Sequence, residues 1–275
     1  MALPEKEPVQ TIPLKSWDEF EATIQTFFQR LESLRIERQP QTVSKPLFRG
    51  HVDASCKLET TLDRLCKCEI TMEHYYRTIL GVKPAIVSIT EKNWDLPDHF
   101  KEAGGTPLPP PGYEFMIYLR HHGFPSPLLD WSRSPYVAAF FAFRTNGNPQ
   151  DDCATIFSYV EWLGRGKSWS GSEPTMHGLG PYVVSHKRHY AQQCEYTICT
   201  KRIDENSVYC SHELAVSNQL NEQDQLIKYV IPKSERKKVL QKLEIMNVTA
   251  FSLFGSEESL AETLAYQELE KDFLR

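Results

Sequence analysis

One segment, residues 118–143, constrains the fold more than any other part of the chain. It reads YLRHHGFPSPLLDWSRSPYVAAFFAF, so two adjacent histidines precede a glycine and two prolines. Glycine and proline restrict the backbone there, which predicts a fixed loop. Ser134 before Pro135 is typical of a helix N-cap followed by proline at the first helical position. A rigid polar loop capped by a buried helix would hold side chains at a cleft.

This segment and an upstream triplet together resemble a known family. Phe48-Arg49-Gly50 is followed by His51, Leu58 and Arg64, and then by the string HHGFPSPLLDWS. Further pieces lie downstream: AQQ at 191–193, YTI at 196–198, KYVIP at 228–232 and NVTAFSLF at 247–254. The ordered set resembles the FRG domain family, which is named after the Phe-Arg-Gly triplet, over residues 45–264. The family name itself implies little about mechanism.

Composition and charge limit the class of protein. The 275 residues are 40% hydrophobic and 24% charged, which is ordinary for a globular chain that buries a substantial core. The net charge of -5 excludes a global basic field for non-specific nucleic-acid binding. The apolar runs are far shorter than the roughly 20 residues that span a bilayer, and the N-terminus lacks the apolar core of a signal peptide. We therefore predict a cytoplasmic protein with no membrane partner.

The cysteines do not indicate a metal site. There are seven, and an odd number without a signal peptide predicts reduced thiols. The close pair Cys66 and Cys68 has one residue between its members, unlike the spacing of a structural zinc site. We predict no metal and interpret these cysteines as half-buried small side chains.

Hydrophobic periodicity predicts a helical extension and a domain of mixed α and β structure. SWDE at 16–19 fits a capping box, and apolar residues then recur at helical spacing, which predicts a helix over 17–37 docked on the core. We expect residues 1–44 to form this N-terminal extension and residues 45–275 to form the FRG-like domain. The predicted fold class is α+β, with a central, mostly antiparallel sheet and flanking helices.

The remaining elements follow from the same patterns. We predict strands at 47–50, 153–160, 196–200 and 226–232, and helices at 57–80, 113–121, 235–245 and 259–274. Residues 248–254 are predicted as a final strand or extended piece. The glycine-rich residues 164–180 lack the spacing of a nucleotide-binding fingerprint. We predict that they form a mobile loop bordering a ligand.

A second and more distant resemblance brings separate polar residues together. Phe48-Arg49, then Trp131-Ser132 before a small apolar helix, then Gln193-Cys194-Glu195 is an order similar to that of ADP-ribosyltransferases with an Arg–Ser–Glu triad. This resemblance implies a split sheet and NAD as the substrate. It also implies that the enzyme would modify a nucleic-acid or protein acceptor, as a toxin or a defence effector.

The same resemblance implies roles for individual residues. Arg49 would bind the pyrophosphate bidentately, with Arg64 also binding the cofactor. The other residues implied in NAD binding are Ser132, Gln193 and His121. Glu195 would stabilise the oxocarbenium-like cation that forms as nicotinamide leaves. The serine motif here is Asp-Trp-Ser rather than Ser-Thr-Ser, so Asp130 is a second candidate for that carboxylate.

A hydrolase or nuclease is an alternative reading of the central segment. His121 or His122 would be the general base, since histidine titrates near neutral pH, and Asp130 would orient it. A lone histidine beside a Gly-Pro loop is equally typical of a donor that holds the loop together.

A non-catalytic module that binds a nucleotide, a nucleic acid or a protein is the third function left open. Its anchors would be the arginines of the two motifs, namely Arg49, Arg64, Arg120 and Arg133. Trp131 is interpreted as a core residue whose N–H is satisfied by a neighbour. Glu195 distinguishes the hypotheses, because the transferase needs a carboxylate facing Arg49 and a binding module does not.

Overall fold

The structure is a computed structural model that describes residues 9–38, 42–66, 69–100, 108–164, 171–180, 187–217 and 224–270. The strands in these ranges are β1 (Gln10–Pro13), β2 (Leu47–His51), β3 (Ile70–Thr71), β4 (Leu129–Ser132), β5 (Cys153–Val160), β6 (Thr175–Gly178), β7 (Cys194–Ile203), β8 (Asn206–Tyr209) and β9 (Gln225–Pro232). The helices are α1 (Trp17–Glu37), α2 (Thr61–Leu65), α3 (Met72–Thr90), α4 (Tyr113–His121), α5 (Pro135–Phe143), α6 (Lys187–Ala191), α7 (His212–Ser217), α8 (Arg236–Ile245), α9 (Ala250–Phe254) and α10 (Glu257–Ala265).

The described strands form one mixed sheet that is mostly antiparallel. Its order is β1-β9-β5-β2-β4-β7-β8-β3, and β6 pairs with β7 beside that path. Strand β1 runs parallel to β9, and the other pairs of strands are antiparallel. The helices flank this sheet, so the predicted α+β class is confirmed.

Strand β7 has three neighbours, although a strand has two edges. Thr197 pairs with Leu129 of β4 and with Gly178 of β6, so β4 and β6 lie on opposite edges of β7. Thr200 pairs with β8 and again with β6. Because β6 occupies one edge at both positions, β4 and β8 follow one another along the other edge. The sheet therefore divides at β7.

The predicted N-terminal helix is confirmed as α1. The hydroxyl of Ser16 accepts a hydrogen bond from the backbone N–H of Glu19 at 3.3 Å, while the Glu19 carboxylate accepts from the N–H of Lys15. The helix buries Trp17, Phe20, Ile24, Phe27 and Leu31 in the main core. Burial of each such side chain stabilises the docked helix by roughly 1.5–3 kcal/mol. The domain boundary between residues 44 and 45 stays a prediction.

Helix α5 begins where the sequence indicates. The hydroxyl of Ser134 accepts from the backbone N–H of Val137 at 3.3 Å, and Pro135 is the first helical residue. Most of the helix is buried, because it packs against β2 and β5 in the main core. The residues just before it, 129–132, are strand β4 rather than a continuation of the predicted loop.

The single helix predicted over residues 57–80 is wrong. The chain forms α2 and α3 there, separated by the short strand β3, and α3 continues past Pro84 to Thr90. Thr60 and Thr71 each accept a hydrogen bond from a backbone N–H three residues later, so each begins a helix of its own. The two N-caps divide one apolar pattern into two helices, a division that hydrophobic periodicity alone does not show.

Three further predictions, for residues 248–254, 259–274 and 164–180, differ from the structure. Residues 250–254 are helix α9 rather than a strand, because the hydroxyl of Thr249 caps the N–H of Ser252 and the Ser252 hydroxyl accepts from the N–H of Thr249. The closing helix α10 spans Glu257–Ala265, followed by a π-helical turn, Tyr266–Glu270. The predicted loop 164–180 contains β6, which pairs with β7, and residues 165–170 lie outside the described residues.

The two largest apolar clusters lie on one face of the sheet, and a third, which contains Leu129 and Trp131, lies on the other. The largest packs α1, α5, α8 and α9 on β2, β5 and β9, and a second packs α3 and α4 on β7. By strand alternation, Phe48 of the first cluster and Tyr196 of the second point to the same face as Ser132 between them. Polar residues therefore lie where two cores meet. No helix in the described ranges is long and apolar enough to cross a membrane.

Candidate functional site

Strands β2 and β4 separate after one residue pair. Phe48 lies opposite Ser132, whereas all of β2 pairs with β5 on its other edge. We call the opening beyond this pair, between residues 49–51 and 129–131, the β2–β4 fork. Helix α5 covers it closely, because a Cβ added at Gly50 would lie only 1.9 Å from the carbonyl oxygen of Ala138. Glycine is required there for the helix to approach the strand.

A cavity of about 360 Å³ occupies the fork. Its walls come from β2 and the turn after it, from α2, β4 and α5, and from the start of β7. The lining residues are Phe48, Arg49, Gly50, His51, Val52, Cys56, Lys57, Arg64, Asp130, Trp131, Ser132, Ala138, Phe141, Gln192 and Cys194. The volume lies near the lower end of the roughly 300–1,000 Å³ typical of small-molecule sites.

Arg49 crosses the fork. Its Nε donates to Nε2 of His51 at 2.9 Å, and its Nη1 donates to the backbone oxygen of Asp130 at 2.7 Å. Burial lowers the pKa of the guanidinium to about 10, so it is still charged at neutral pH. No carboxylate in the described part of the chain forms an ion pair with it. Its remaining N–H groups are available to an anion in the cavity.

His51 fixes Arg49 without neutralising it. Burial, together with the charge of Arg49, lowers the pKa of His51 to about 3. The imidazole is therefore neutral near pH 7, with Nε2 as the acceptor and the hydrogen on Nδ1. The ring also packs edge-on against Phe157 at a centroid distance of 5.3 Å. A neutral acceptor adds no negative charge beside Arg49.

Asp130 is held by an arginine from α4. Both carboxylate oxygens accept from Arg120, with Nε on Oδ1 and with Nη2 on Oδ2 at 2.8 Å. Nη1 of Arg120 donates to the hydroxyl of Thr61 at 3.0 Å. Burial alone would raise the pKa of Asp130, but the charge and hydrogen bonds of Arg120 outweigh it and hold the pKa below its usual range. The carboxylate in the cavity is therefore ionised and already paired.

Ser132 lines the cavity, and its hydroxyl also holds neighbouring segments of the chain together. Its hydroxyl donates to the backbone oxygen of Gln192 at 2.8 Å and accepts from the N–H of Ser134 at 3.0 Å. The side-chain amide of Gln192 donates to the backbone oxygen of Leu253 at 3.1 Å. These bonds join the end of β4 to the start of β7 and to α9. Ser132 and Gln192 are therefore largely satisfied by the protein itself.

Glu195 does not line the cavity. Ser132 lies opposite Cys194, which lines the cavity. Glu195 lies opposite Trp131 and points to the other face of the sheet, as Arg49 does by the pairing of Phe48 with Ser132. Its carboxylate pairs with the guanidinium of Arg133. The catalytic role expected of Glu195 beside Arg49 therefore stays a prediction. Their backbones are also two strands apart, about 10 Å.

Gln193 and the two histidines also lie outside the cavity lining. Gln193 is exposed and has a positive φ of 50° at the turn into β7. Nε2 of His121 hydrogen-bonds with the hydroxyl of Tyr196 at 2.8 Å, and the ring of His122 packs on Tyr118 at 4.3 Å. Partial burial, then the charges of Lys92 and Arg188, lower the pKa of His122. The catalytic and binding roles assigned to these residues stay predictions.

Arg49, Lys57 and Arg64 are cationic residues of the cavity lining, and the sequence predicted Arg49 and Arg64. Arg64 was expected there, and its Nη1 donates only to a backbone oxygen, that of Glu59, at 3.2 Å. Lys57 and Cys56 were not expected. They lie in the turn that follows β2, the strand of Arg49. This position was the feature of the sequence that could have identified them, because binding residues are concentrated on loops that a rigid scaffold positions.

Trp131 has the role that its sequence context predicted. Its side chain is 2% exposed, and its Nε1 donates to the hydroxyl of Thr197 at 2.8 Å. Thr197 in turn hydrogen-bonds with Nε2 of His212 at 2.9 Å. The prediction of a core tryptophan with a satisfied N–H is confirmed.

Comparison with known families identifies the segment that builds the fork. Residues 44–151 match the family model of the FRG domain. The chain carries an FRG domain. The matched range is shorter than the 45–264 expected from the motifs. Of the curated proteins and the solved structures, none matches the chain. The resemblance to ADP-ribosyltransferases therefore gains no support from these comparisons.

The FRG domain supplies most of the cavity. The matched range contains β2, α2, α4, β4 and α5, and only Gln192 and Cys194 among the lining residues fall outside it. The Phe-Arg-Gly triplet gives the core residue Phe48, the guanidinium of Arg49 and the close approach at Gly50. The triplet is therefore the part of the sequence that forms one arm of the fork.

Proposed function

We propose that the β2–β4 fork binds a nucleotide-type ligand through its phosphate groups. The observation that carries this proposal is Arg49, a partly buried guanidinium that is oriented by His51 and by the Asp130 carbonyl but is ion-paired to no carboxylate of the described chain. A charge removed from water is costly unless it is paired. A phosphate in the cavity would supply that pairing, with a geometry suited to the planar guanidinium.

The rest of the lining favours a phosphorylated ligand over a simple anion. Lys57 and Arg64 line the cavity together with Arg49, and neither has an ion-pair partner in the described ranges. The single carboxylate of the lining, that of Asp130, is already paired with Arg120. Phe141 and Ala138 provide an apolar wall for a ring system. A ligand with a phosphate beside these cations and a ring against this wall would be a nucleotide.

NAD is the first ligand to test. The motif order that resembles ADP-ribosyltransferases implied it, and Arg49 would take one phosphate of its pyrophosphate. The cavity volume of about 360 Å³ suits a mononucleotide or half of a dinucleotide. NAD would therefore extend beyond the cavity, whereas a mononucleotide would fit within it. A panel of NAD, ADP-ribose, AMP and nicotinamide mononucleotide separates these cases.

Transfer of ADP-ribose from NAD is the second candidate. The observation that favours it is strand order, because Arg49, Ser132 and Glu195 lie on the neighbouring strands β2, β4 and β7. In this reaction the bond between the ribose C1′ and nicotinamide breaks, nicotinamide leaves with the electron pair, and a nucleophile of the acceptor adds at C1′ and loses a proton. Asp130, the carboxylate in the cavity, would then stabilise the cation. A nucleic-acid or protein acceptor and a role as a toxin or defence effector belong to this candidate.

Calorimetric titration of the full chain with the nucleotide panel tests the binding proposal. We expect saturable binding that weakens at least about tenfold in Arg49→Gln, which keeps a polar side chain but removes the charge. Arg30→Gln, an exposed arginine on α1, is the matched control and should bind as the wild type does. Absence of binding by every member of the panel would contradict the proposal. Binding without release of nicotinamide from labelled NAD would retain it and reject the transferase.

A further inference from the structure

We infer that Cys199 and Cys210 are an oxidative modification site, where peroxide converts two thiols into a disulfide between neighbouring strands. Their Sγ atoms lie 3.3 Å apart, and neither sulfur is part of a disulfide in the structure. This pair lies outside the cavity lining and has no part in the proposed function.

The strand register places the two cysteines directly opposite each other. Thr200 pairs with Tyr209, so the next opposed pair is Cys199 with Cys210, and the N–H of Cys210 donates to the oxygen of Cys199 at 3.0 Å. Directly opposed residues of antiparallel strands have Cα atoms roughly 4.5–5.5 Å apart, which lies within the range that a disulfide spans. The sulfurs at 3.3 Å need to approach by only about 1.2 Å to reach bonding distance.

The surroundings determine which reagent can act. Cys199 is 1% exposed and Cys210 is 8% exposed, so a small oxidant such as hydrogen peroxide is favoured and Cys210 is the sulfur that it reaches first. Lys201 lies near both thiols. Its pKa is raised chiefly by the hydrogen bond with Glu69, and the two cysteines contribute further.

The reaction balances with one peroxide. The sulfur of Cys210 attacks hydrogen peroxide, the O–O bond breaks, and sulfenic acid and one water form. The sulfur of Cys199 then attacks the sulfenic sulfur, the S–O bond breaks, and the hydroxyl leaves as a second water with the proton of the Cys199 thiol. The two cysteines together lose two protons and two electrons, and peroxide is reduced to two waters.

The test is mass spectrometry of the folded full chain after graded treatment with hydrogen peroxide. Free thiols are blocked by alkylation before digestion, and we expect a peptide pair joined between residues 199 and 210 with the loss of two hydrogen masses. In Cys199→Ala the sulfenic acid on Cys210 should persist and react with a dione probe. Cys153→Ala, a half-buried cysteine elsewhere, should leave the cross-link unchanged.

Two outcomes would overturn the inference. One is that Cys199 and Cys210 remain alkylatable at peroxide doses that fully oxidise the exposed Cys56 in folded protein. The other is that the cross-link appears only after unfolding in urea. Circular dichroism of each variant before treatment separates a loss of reactivity from a loss of fold. If either cysteine variant is unfolded, the wild-type cross-link, measured with and without urea, still decides the matter.

Discussion

The guanidinium of Arg49 bonds to the backbone carbonyl of Asp130 at 2.7 Å, just where β2 and β4 cease to pair. A backbone carbonyl that has lost its partner in the sheet needs another donor. The side chain of one strand therefore replaces the missing backbone bond to the other. Arg49 thus holds the fork open and also presents its charge to the cavity.

Arg49→Lys keeps the charge but removes the planar arrangement that reaches His51 and Asp130 together. We expect the free energy of unfolding to fall by about 1–2 kcal/mol, the value of one or two hydrogen bonds. Urea denaturation measures it. The control Arg30→Lys, on the exposed face of α1, should change the free energy of unfolding by less than about 0.5 kcal/mol. Equal losses in the two variants would show that Arg49 has no structural role in the fork.

Gly50→Ala tests the contact between β2 and α5. The new Cβ would lie 1.9 Å from the oxygen of Ala138 and 2.7 Å from the nitrogen of Ala142, both backbone atoms that cannot rotate away. We expect a loss of about 3 kcal/mol or more, measured by thermal and urea unfolding. Gly81→Ala is the matched control, since Gly81 lies within α3 with no atom within 4 Å of its added Cβ. That variant should gain about 0.5–1 kcal/mol from helix propensity, and a loss of similar size in both would refute the steric argument.

Local signals were sufficient to predict several parts of the fold. Ser16 and Ser134 begin α1 and α5 as expected, because an N-cap depends on residues within one turn. The strand predicted at residues 47–50 is present as β2, although it continues through Gly50 to His51. Thr249 shows the limit of predicting secondary structure from composition. Its cap with Ser252 makes residues 250–254 a helix, although their composition is typical of a strand.

The composition of the site could not be predicted in full, because it depends on strand register. Whether Cys194 or Glu195 shares the face of Ser132 is decided by the pairing of Ser132 with Cys194, which joins residues 62 positions apart. A shift of one residue in that register would exchange their faces. The clamp of Arg120 on Asp130 also depends on how α4 packs against β4. Neither relationship is encoded in a local pattern.

Asp130→Asn leaves the largely buried Arg120 without its ionised partner. Removing one member of a fully buried pair costs about 3–5 kcal/mol, but a third of the Asp130 side chain is exposed, so we expect about 2 kcal/mol at neutral pH. The pKa of Asp130 is lower in the folded state than in the unfolded state. Its contribution is therefore full above the unfolded pKa and is lost as the pH falls through the folded pKa.

The pH dependence gives this prediction its measurement. The difference in the free energy of unfolding between the wild type and Asp130→Asn should be constant above about pH 5 and should decrease below about pH 4. Asp98→Asn, at an exposed position, is the control and should show no comparable decrease. A difference that grows as the pH falls would have the wrong sign and would remove Arg120 as the cause.

Glu195→Gln and Asp130→Asn should behave differently with labelled NAD. Glu195 is paired with Arg133 and does not line the cavity, so its neutral variant should bind NAD and release nicotinamide within about threefold of the wild type. Asp130 lies in the cavity, and in the transferase its loss should slow release by about 10²-fold or more, as expected when a charged group stabilises the transition state. Release is followed by chromatography at a temperature where circular dichroism shows both variants folded. Loss of release in Glu195→Gln alone would return the catalytic role to Glu195, and would require its carboxylate to leave Arg133 when NAD binds.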